Sequence, residues 1–312
     1  MTQAFVFPGQ GSQVVGIGRE VAEAFPCARE VFEEIDEALN QNLTKLMFEG
    51  PDDDLLLTEN AQPAIMAVSQ AVMRVLQAEG KLDMASSVAF VSGHSLGEYS
   101  ALAAAGCFSV ADTARLLKTR GRAMQEAVPV GEGTMAALMG LELEDVIAIA
   151  EEASKDGVCA AANDNAPGQV VVSGDTAAVN RAIELAKEKG AKRAILLPVS
   201  APFHCSMMAP AADVMGRALA TVTMQPLTIP LIANVTAAPV SDPAVVRPLL
   251  VEQVTGMVRW RECVLTMKGK GVDTLVEVGS GKVLAGLARR IVKELTAISV
   301  GTPQSIEEFL KG

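Results

Sequence analysis

SVAFVSGHSLGEYSALAAAG, residues 87–106, sets one serine between two glycines directly after an apolar run and before an alanine-rich one. The run from Ser87 to Ser92 predicts a buried strand, and Leu96 to Ala105 predicts a helix that Gly106 ends. Strand, Gly-x-Ser-x-Gly turn and helix together form the nucleophile-elbow pattern, in which a sharp turn lifts a serine hydroxyl above a sheet. The helix start would also present backbone N–H groups and a positive dipole to an oxyanion, with the Leu96 amide as the first donor. The plain alternative is a glycine turn whose serine only caps the helix.

Working outward, Gln3 to Phe7 predicts another short buried strand, which stops at Pro8 and opens into the loop GQGSQ, residues 9–13. Arg19 to Leu39 is helical with a break near Pro26, and Ala61 to Glu79 repeats apolar residues at helical spacing up to Gly80. From about Gly133 the rhythm changes. TMAALMGL predicts a strand, LEDVIAIAEEAS a helix, VCAAAN and QVVVSG two strands, TAAVNRAIELAKEK a helix and KRAILLPV a strand. That order, βαββαβ, is ferredoxin-like. Afterwards LTIPLIAN and VDTLVEV predict strands, and VVRPLLVEQVT and KVLAGLARRIVKEL helices. With no repeat and no flexible linker, the expectation is one α/β body from residues 1–128 and 200–312 with a parallel-rich central sheet. The ferredoxin-like subdomain, 129–199, is inserted into it.

A chain of 312 residues with 50% hydrophobic content can bury a large core. The balance of 26 basic against 37 acidic residues, net −11, argues against nucleic acid or an anionic membrane as the main partner. Five cysteines without a CxxC spacing point to neither a disulfide framework nor a zinc cluster, so no metal and a reducing cytoplasm are expected. The first residues carry no basic n-region, and no apolar run approaches the roughly 18 residues of a membrane span.

A serine alcohol needs a base, and the chain has only two histidines. His94 adjoins Ser95 and points elsewhere from a sharp turn, which leaves His204, beyond a predicted strand end, as general base. No carboxylate stands out to orient it, which favours a Ser-His dyad held by another acceptor. GQGSQ fails the dinucleotide pattern at Val14, and GSGK, residues 279–282, fails the phosphate-loop pattern at Val276 and Val283. The first loop could instead supply a second oxyanion donor. In LLKTRGRAMQ, Arg120 shares a helix stripe with Leu116, Leu117, Ala123 and Met124, while Arg122 lies about 200° around the axis. A guanidinium on an apolar face needs an anion from elsewhere: either a substrate carboxylate, which its fork fits in bidentate geometry, or a distant Asp or Glu.

FPGQGSQ, TENAQPAI, GHSLGEYSAL, RGRAMQEAV, NDNAPGQVVVSG, APFHCSMM and EVGSGKVLAGL, in that order from residue 7 to 287, resemble the motifs of the malonyl-CoA:acyl-carrier-protein transacylases of type II fatty-acid synthesis. The acyltransferase domains of polyketide synthases are similar. The resemblance implies a hydrolase-like α/β body, Ser95 as the acylated nucleophile, His204 as base and Arg120 as the clamp on the malonyl carboxylate. It also implies Gln10 and Leu96 as oxyanion-hole amides, Gln62 and His94 in the substrate pocket, and Phe203 in selecting malonyl over methylmalonyl. Gln253 would orient the histidine through its main-chain carbonyl.

The expected reaction is ping-pong transfer from malonyl-CoA to the phosphopantetheine thiol of acyl carrier protein, with CoA as product and no cofactor. The carrier is acidic like this chain, so a local basic patch must dock it; the candidates are Lys187, Lys189, Lys192 and Arg193, and Arg289, Arg290 and Lys293. A monomer is expected. Other readings are a serine thioesterase or carboxylesterase, a transferase serving a polyketide or malonate-decarboxylase carrier, and a noncatalytic carrier-binding module.

Overall fold

The computed structural model describes residues 2–199 and 201–311, so the expected boundary positions Met1, Ser200 and Gly312 lie outside the described residues. Among the described residues ten strands form two sheets: β1 (Gln3–Phe7), β2 (Val88–Gly93), β3 (Gly133–Met139), β4 (Cys159–Ala166), β5 (Gln169–Asp175), β6 (Arg193–Leu196), β7 (Leu231–Ile232), β8 (Pro239–Val240), β9 (Thr274–Val278) and β10 (Thr296–Val300). The larger sheet runs β10-β9-β1-β2-β7-β8 and is parallel except for β8. Alternation along β1 shows why it is continuously apolar: Phe5 and Phe7 join the core on one face, Ala4 and Val6 the core on the other.

The smaller sheet, β4-β5-β3-β6, is antiparallel throughout, and its strands with the helices Leu143–Ala153 and Thr176–Glu188 make the ferredoxin-like order. It is joined to the larger sheet's body through β4. Val258 exchanges backbone hydrogen bonds with Ala162 and Asp164, and the buried Asp164 carboxylate accepts from Arg261 Nε at 2.8 Å. The protein is therefore a mixed α/β chain with a parallel-rich sheet and a separate antiparallel one, as the element order implied.

Two local readings change and a third holds. The strand expected over Leu227–Asn234 contracts to Leu231–Ile232, because Thr228 turns its N–H to the Ala105 carbonyl and Pro230 has none to give. The helix expected to run to Leu295 ends at Ile291, and Thr296–Val300, to which the sequence reading assigns no element, pairs in parallel with β9 as an edge strand. The break near Pro26 is real: Phe25 is extended and Pro26 starts the helix Pro26–Leu39 at its first position. GSGK leads into the helix Val283–Ile291, whose first N–H groups are met by the Glu277 carboxylate at 3.0 Å (Leu284) and 2.9 Å (Ala285).

The loops after β1 and β2 meet at the carboxyl ends of these strands, where ligands bind in open α/β sheets. Contact there is close enough to require glycine. A methyl group at Gly97 would overlap the Phe7 carbonyl oxygen, and one at Gly93 would overlap the Gly97 carbonyl. Gly97→Ala is expected to destabilise the protein by about 1–3 kcal/mol or more, as overpacking does; a denaturant midpoint equal to that of the unmodified protein would show that the helix can move away from β1 without cost.

Candidate active site

Ser95 sits at φ +55°, in the left-handed region that a non-glycine residue enters only when its surroundings impose it. Asn234 imposes it. Its side chain accepts the Ser95 N–H at 2.8 Å and donates to the Gly93 carbonyl at 2.7 Å, clamping both sides of the turn. Gly97 N–H closes the turn onto the His94 carbonyl at 2.9 Å, and the helix Gly97–Ala104 follows. Among the described residues, the N–H groups of Gln10 and Leu96 donate to no protein acceptor, and both residues line the cavity beside Ser95.

His204 Nε2 lies 2.8 Å from Ser95 Oγ, and Nδ1 lies 2.8 Å from the Gln253 carbonyl and 3.1 Å from that of Gly256. Two carbonyl acceptors assign the proton to Nδ1, so Nε2 offers its lone pair and the serine hydroxyl donates. These carbonyls close the helix Pro243–Thr255, whose negative dipole end favours an imidazolium that forms there. Burial first, and then the positive charge of Arg120, hold the His204 pKa down to about 3 against those carbonyls, so the ring is neutral and ready to take a proton.

Arg120, on the helix Val110–Glu126, is 1% exposed. It donates to Gln62 Oε1 at 2.9 Å, Gln253 Oε1 at 3.0 Å and Ser95 Oγ at 3.1 Å, and lies over the Tyr99 ring. Its Nε–H meets no acceptor among the described residues, and no carboxylate among them reaches it as an ion pair. Of the two readings that the helix stripe left open, the internal salt bridge is thus absent among the described residues.

These groups share a cavity of about 660 Å³ whose other walls include Leu57, Met124, Met135, Pro198, Val199 and Phe203. Gln62 turns its oxygen to Arg120 and its nitrogen to Met124 Sδ. His94 faces the cavity, but its Nε2 is engaged by Asn165 Oδ1 at 2.8 Å and its ring leans on Trp260; burial pushes its pKa below the usual imidazole range. Among the described residues no three His, Cys, Asp or Glu side chains gather to hold a metal ion, and all five cysteines are free. Among the described residues no helix is long and apolar enough to cross a membrane.

Of the basic residues, Lys187 pairs with Glu184, Arg289 donates to the Ala297 carbonyl, and Arg290 to Gln169 and the Pro167 carbonyl. Lys189, Lys192, Arg193 and Lys293 are exposed. Sequence reasoning missed Asn234, Asn165 and Glu98. Only Glu98 left a signal: a carboxylate inside an otherwise small and apolar helix.

Comparison with known proteins agrees with this geometry. Residues 4–304 match the acyl transferase domain family. The chain is 44% identical to the malonyl CoA-acyl carrier protein transacylase of Escherichia coli (strain K12), with 100% of both chains covered. It is 43% identical to that of Bacillus subtilis (strain 168), covering 97% of this chain and 95% of the relative. Among solved structures, it superposes on an acyl-carrier-protein S-malonyltransferase from Bartonella henselae with TM-score 0.97 and 57% identity, covering 100% of this chain and 99% of the other. A malonyl-transacylase solved in complex with its type II PKS acyl-carrier protein gives TM-score 0.96 at 39% identity, over 100% and 99% of the two chains. Matched along nearly its whole length by relatives that share one activity name, the chain belongs to the malonyl CoA-acyl carrier protein transacylase family and is an acyltransferase.

Proposed function

We propose that this protein moves a malonyl group from malonyl-CoA to the phosphopantetheine thiol of an acyl carrier protein through a malonyl-Ser95 intermediate. The observation that carries the reading is a neutral imidazole 2.8 Å from the Ser95 hydroxyl, in a cavity that also holds a buried guanidinium with no ion pair among the described residues. His204 takes the Ser95 proton as Oγ attacks the thioester carbonyl; the amides of Leu96 and Gln10 receive the oxyanion. The C–S bond breaks and CoA leaves with the proton from His204. The carrier thiol then gives its proton to the same ring and reverses the chemistry. Gln253 and Gly256 hold the imidazolium through their carbonyls.

Arg120 reads the far carboxylate of the acyl group, drawn away from Ser95 Oγ as it does so, with Gln62 holding one guanidinium nitrogen in place. Phe203, 7% exposed beside His204, limits room at the acyl α-carbon and disfavours a methyl branch. His94, engaged by Asn165, forms a neutral wall for the acyl group. An apolar lining slows water at the acyl-serine. No resident cofactor is required, and one chain supplies every group, which suits a monomer. The subdomain division at 128/129 and 199/200 leaves the exposed Lys189, Lys192, Arg193 and Lys293 to meet an acidic carrier. Free cysteines fit the reducing cytoplasm.

Intact-mass measurement after mixing with malonyl-CoA should show one malonyl group on the protein and its removal by holo carrier protein; Ser95→Ala should abolish loading and His204→Ala slow it by about 10²–10⁴-fold. Loading that survives Ser95→Ala would place the nucleophile elsewhere. Arg120→Ala should cut malonyl loading relative to acetyl loading on the order of 10–100-fold, and an unchanged ratio would sink the clamp. Because His204 stays neutral far below the ordinary imidazole range, the loading rate should remain level from about pH 8 to about pH 5; a fall centred near about 6.5 would mean that the base is an ordinary exposed histidine.

A further inference from the structure

Glu98 is 1% exposed and lies in the first turn of the helix Gly97–Ala104, three residues after Ser95. An acid at that position ordinarily serves the free N–H groups of its own helix. This one does not. Its Oε2 accepts the Asn234 N–H at 2.9 Å and Gln253 Nε2 at 3.0 Å, from residues 136 and 155 positions away. Oε1 has no partner among the described residues.

Both partners hold the reacting groups directly. Asn234 clamps the Ser95 turn. Gln253 gives its main-chain carbonyl to His204 Nδ1, its side-chain oxygen to Arg120 and a second amide hydrogen to the Ser95 carbonyl at 3.0 Å. A side-chain amide can sit either way round, and the choice is made by its neighbours. Turned over, the Gln253 NH2 would face the Arg120 guanidinium, donor against donor, and its oxygen would face a carboxyl and a carbonyl. The acceptors on Glu98 and Ser95 and the donor on Arg120 together select the working orientation.

We infer that Glu98 is a positioning residue for acyl transfer: a single carboxyl oxygen anchors Gln253 and Asn234 together and so sets the histidine acceptor, the guanidinium and the serine turn in mutual register. What matters is the reach of that acceptor. Burial drives the Glu98 pKa up to about 7, against the lowering effect of its two donors and Arg120, so the carboxyl exchanges its proton near neutrality. Placed on the partnerless Oε1, the proton leaves both bonds to Oε2 intact.

The inference rests on Ser95 being the nucleophile, and a fluorophosphonate probe tests it without using malonyl. Ser95 Oγ forms the bond to phosphorus, fluoride leaves, and the hydroxyl proton passes to His204. Rates are compared for the unmodified protein, Glu98→Gln and Glu98→Asp, below the lowest melting temperature of the three, with malonyl-CoA loading followed in parallel. Gln keeps an acceptor at the same reach without charge; Asp keeps charge but falls short by about one C–C bond, ~1.5 Å. The expected result is Glu98→Gln within about threefold of the unmodified protein and Glu98→Asp slower on the order of 10–100-fold in both assays. Glu98→Asp matching or exceeding Glu98→Gln, or three equal rates, overturns the inference. If the probe rates fall in the expected order while the unmodified protein takes no malonyl, the positioning role stands and the functional reading fails. If the probe spares the unmodified protein, both fail.

Discussion

A guanidinium buried without a carboxylate partner among the described residues is the constraint around which this site is built. Removing a charge from water is costly unless it is hydrogen-bonded, and Arg120 is met by two amide oxygens, a hydroxyl and an aromatic face rather than by a carboxylate. Its charge is therefore satisfied locally without being cancelled. The same charge lowers the pKa of His204 and opposes the rise at Glu98. One cation thus biases the protonation of both groups flanking the serine turn.

The missing acid of a catalytic triad has a structural counterpart. At the end of the helix Pro243–Thr255, carbonyls that lack partners in their own helix take the Nδ1 proton of His204. A helix terminus supplies partial negative charge and a definite direction without adding another buried ion. The scarcity of carboxylates near His204 in the sequence then reflects a different acceptor, not an incomplete site.

What could be read from the sequence depended on whether a role attaches to residue type. Ser95 stands in a local motif, His204 is the sole distal imidazole, and Arg120 interrupts an apolar stripe; each is legible because its chemistry is rare at its place. Gln253 acts through a main-chain carbonyl that every residue possesses, so only the family resemblance picked it out. Asn234 and Asn165 are common polar residues whose partners lie 139 and 71 positions away. In the fold, long periodic segments read correctly. The errors fell at Leu227–Ile229, where a proline outweighs the apolar pattern, and at Val292–Leu295, where the helix ends early; the edge strand Thr296–Val300 is not assigned from the sequence at all.

The acid cap on the helix Val283–Ile291 has a consequence for ligand chemistry. Amides at a helix start commonly greet phosphate, yet here Leu284 and Ala285 are already occupied by Glu277, an anion built into the chain. A nucleotide-bearing thioester approaching this protein gains nothing from that helix start, because the anion those amides would greet is already supplied by the chain itself.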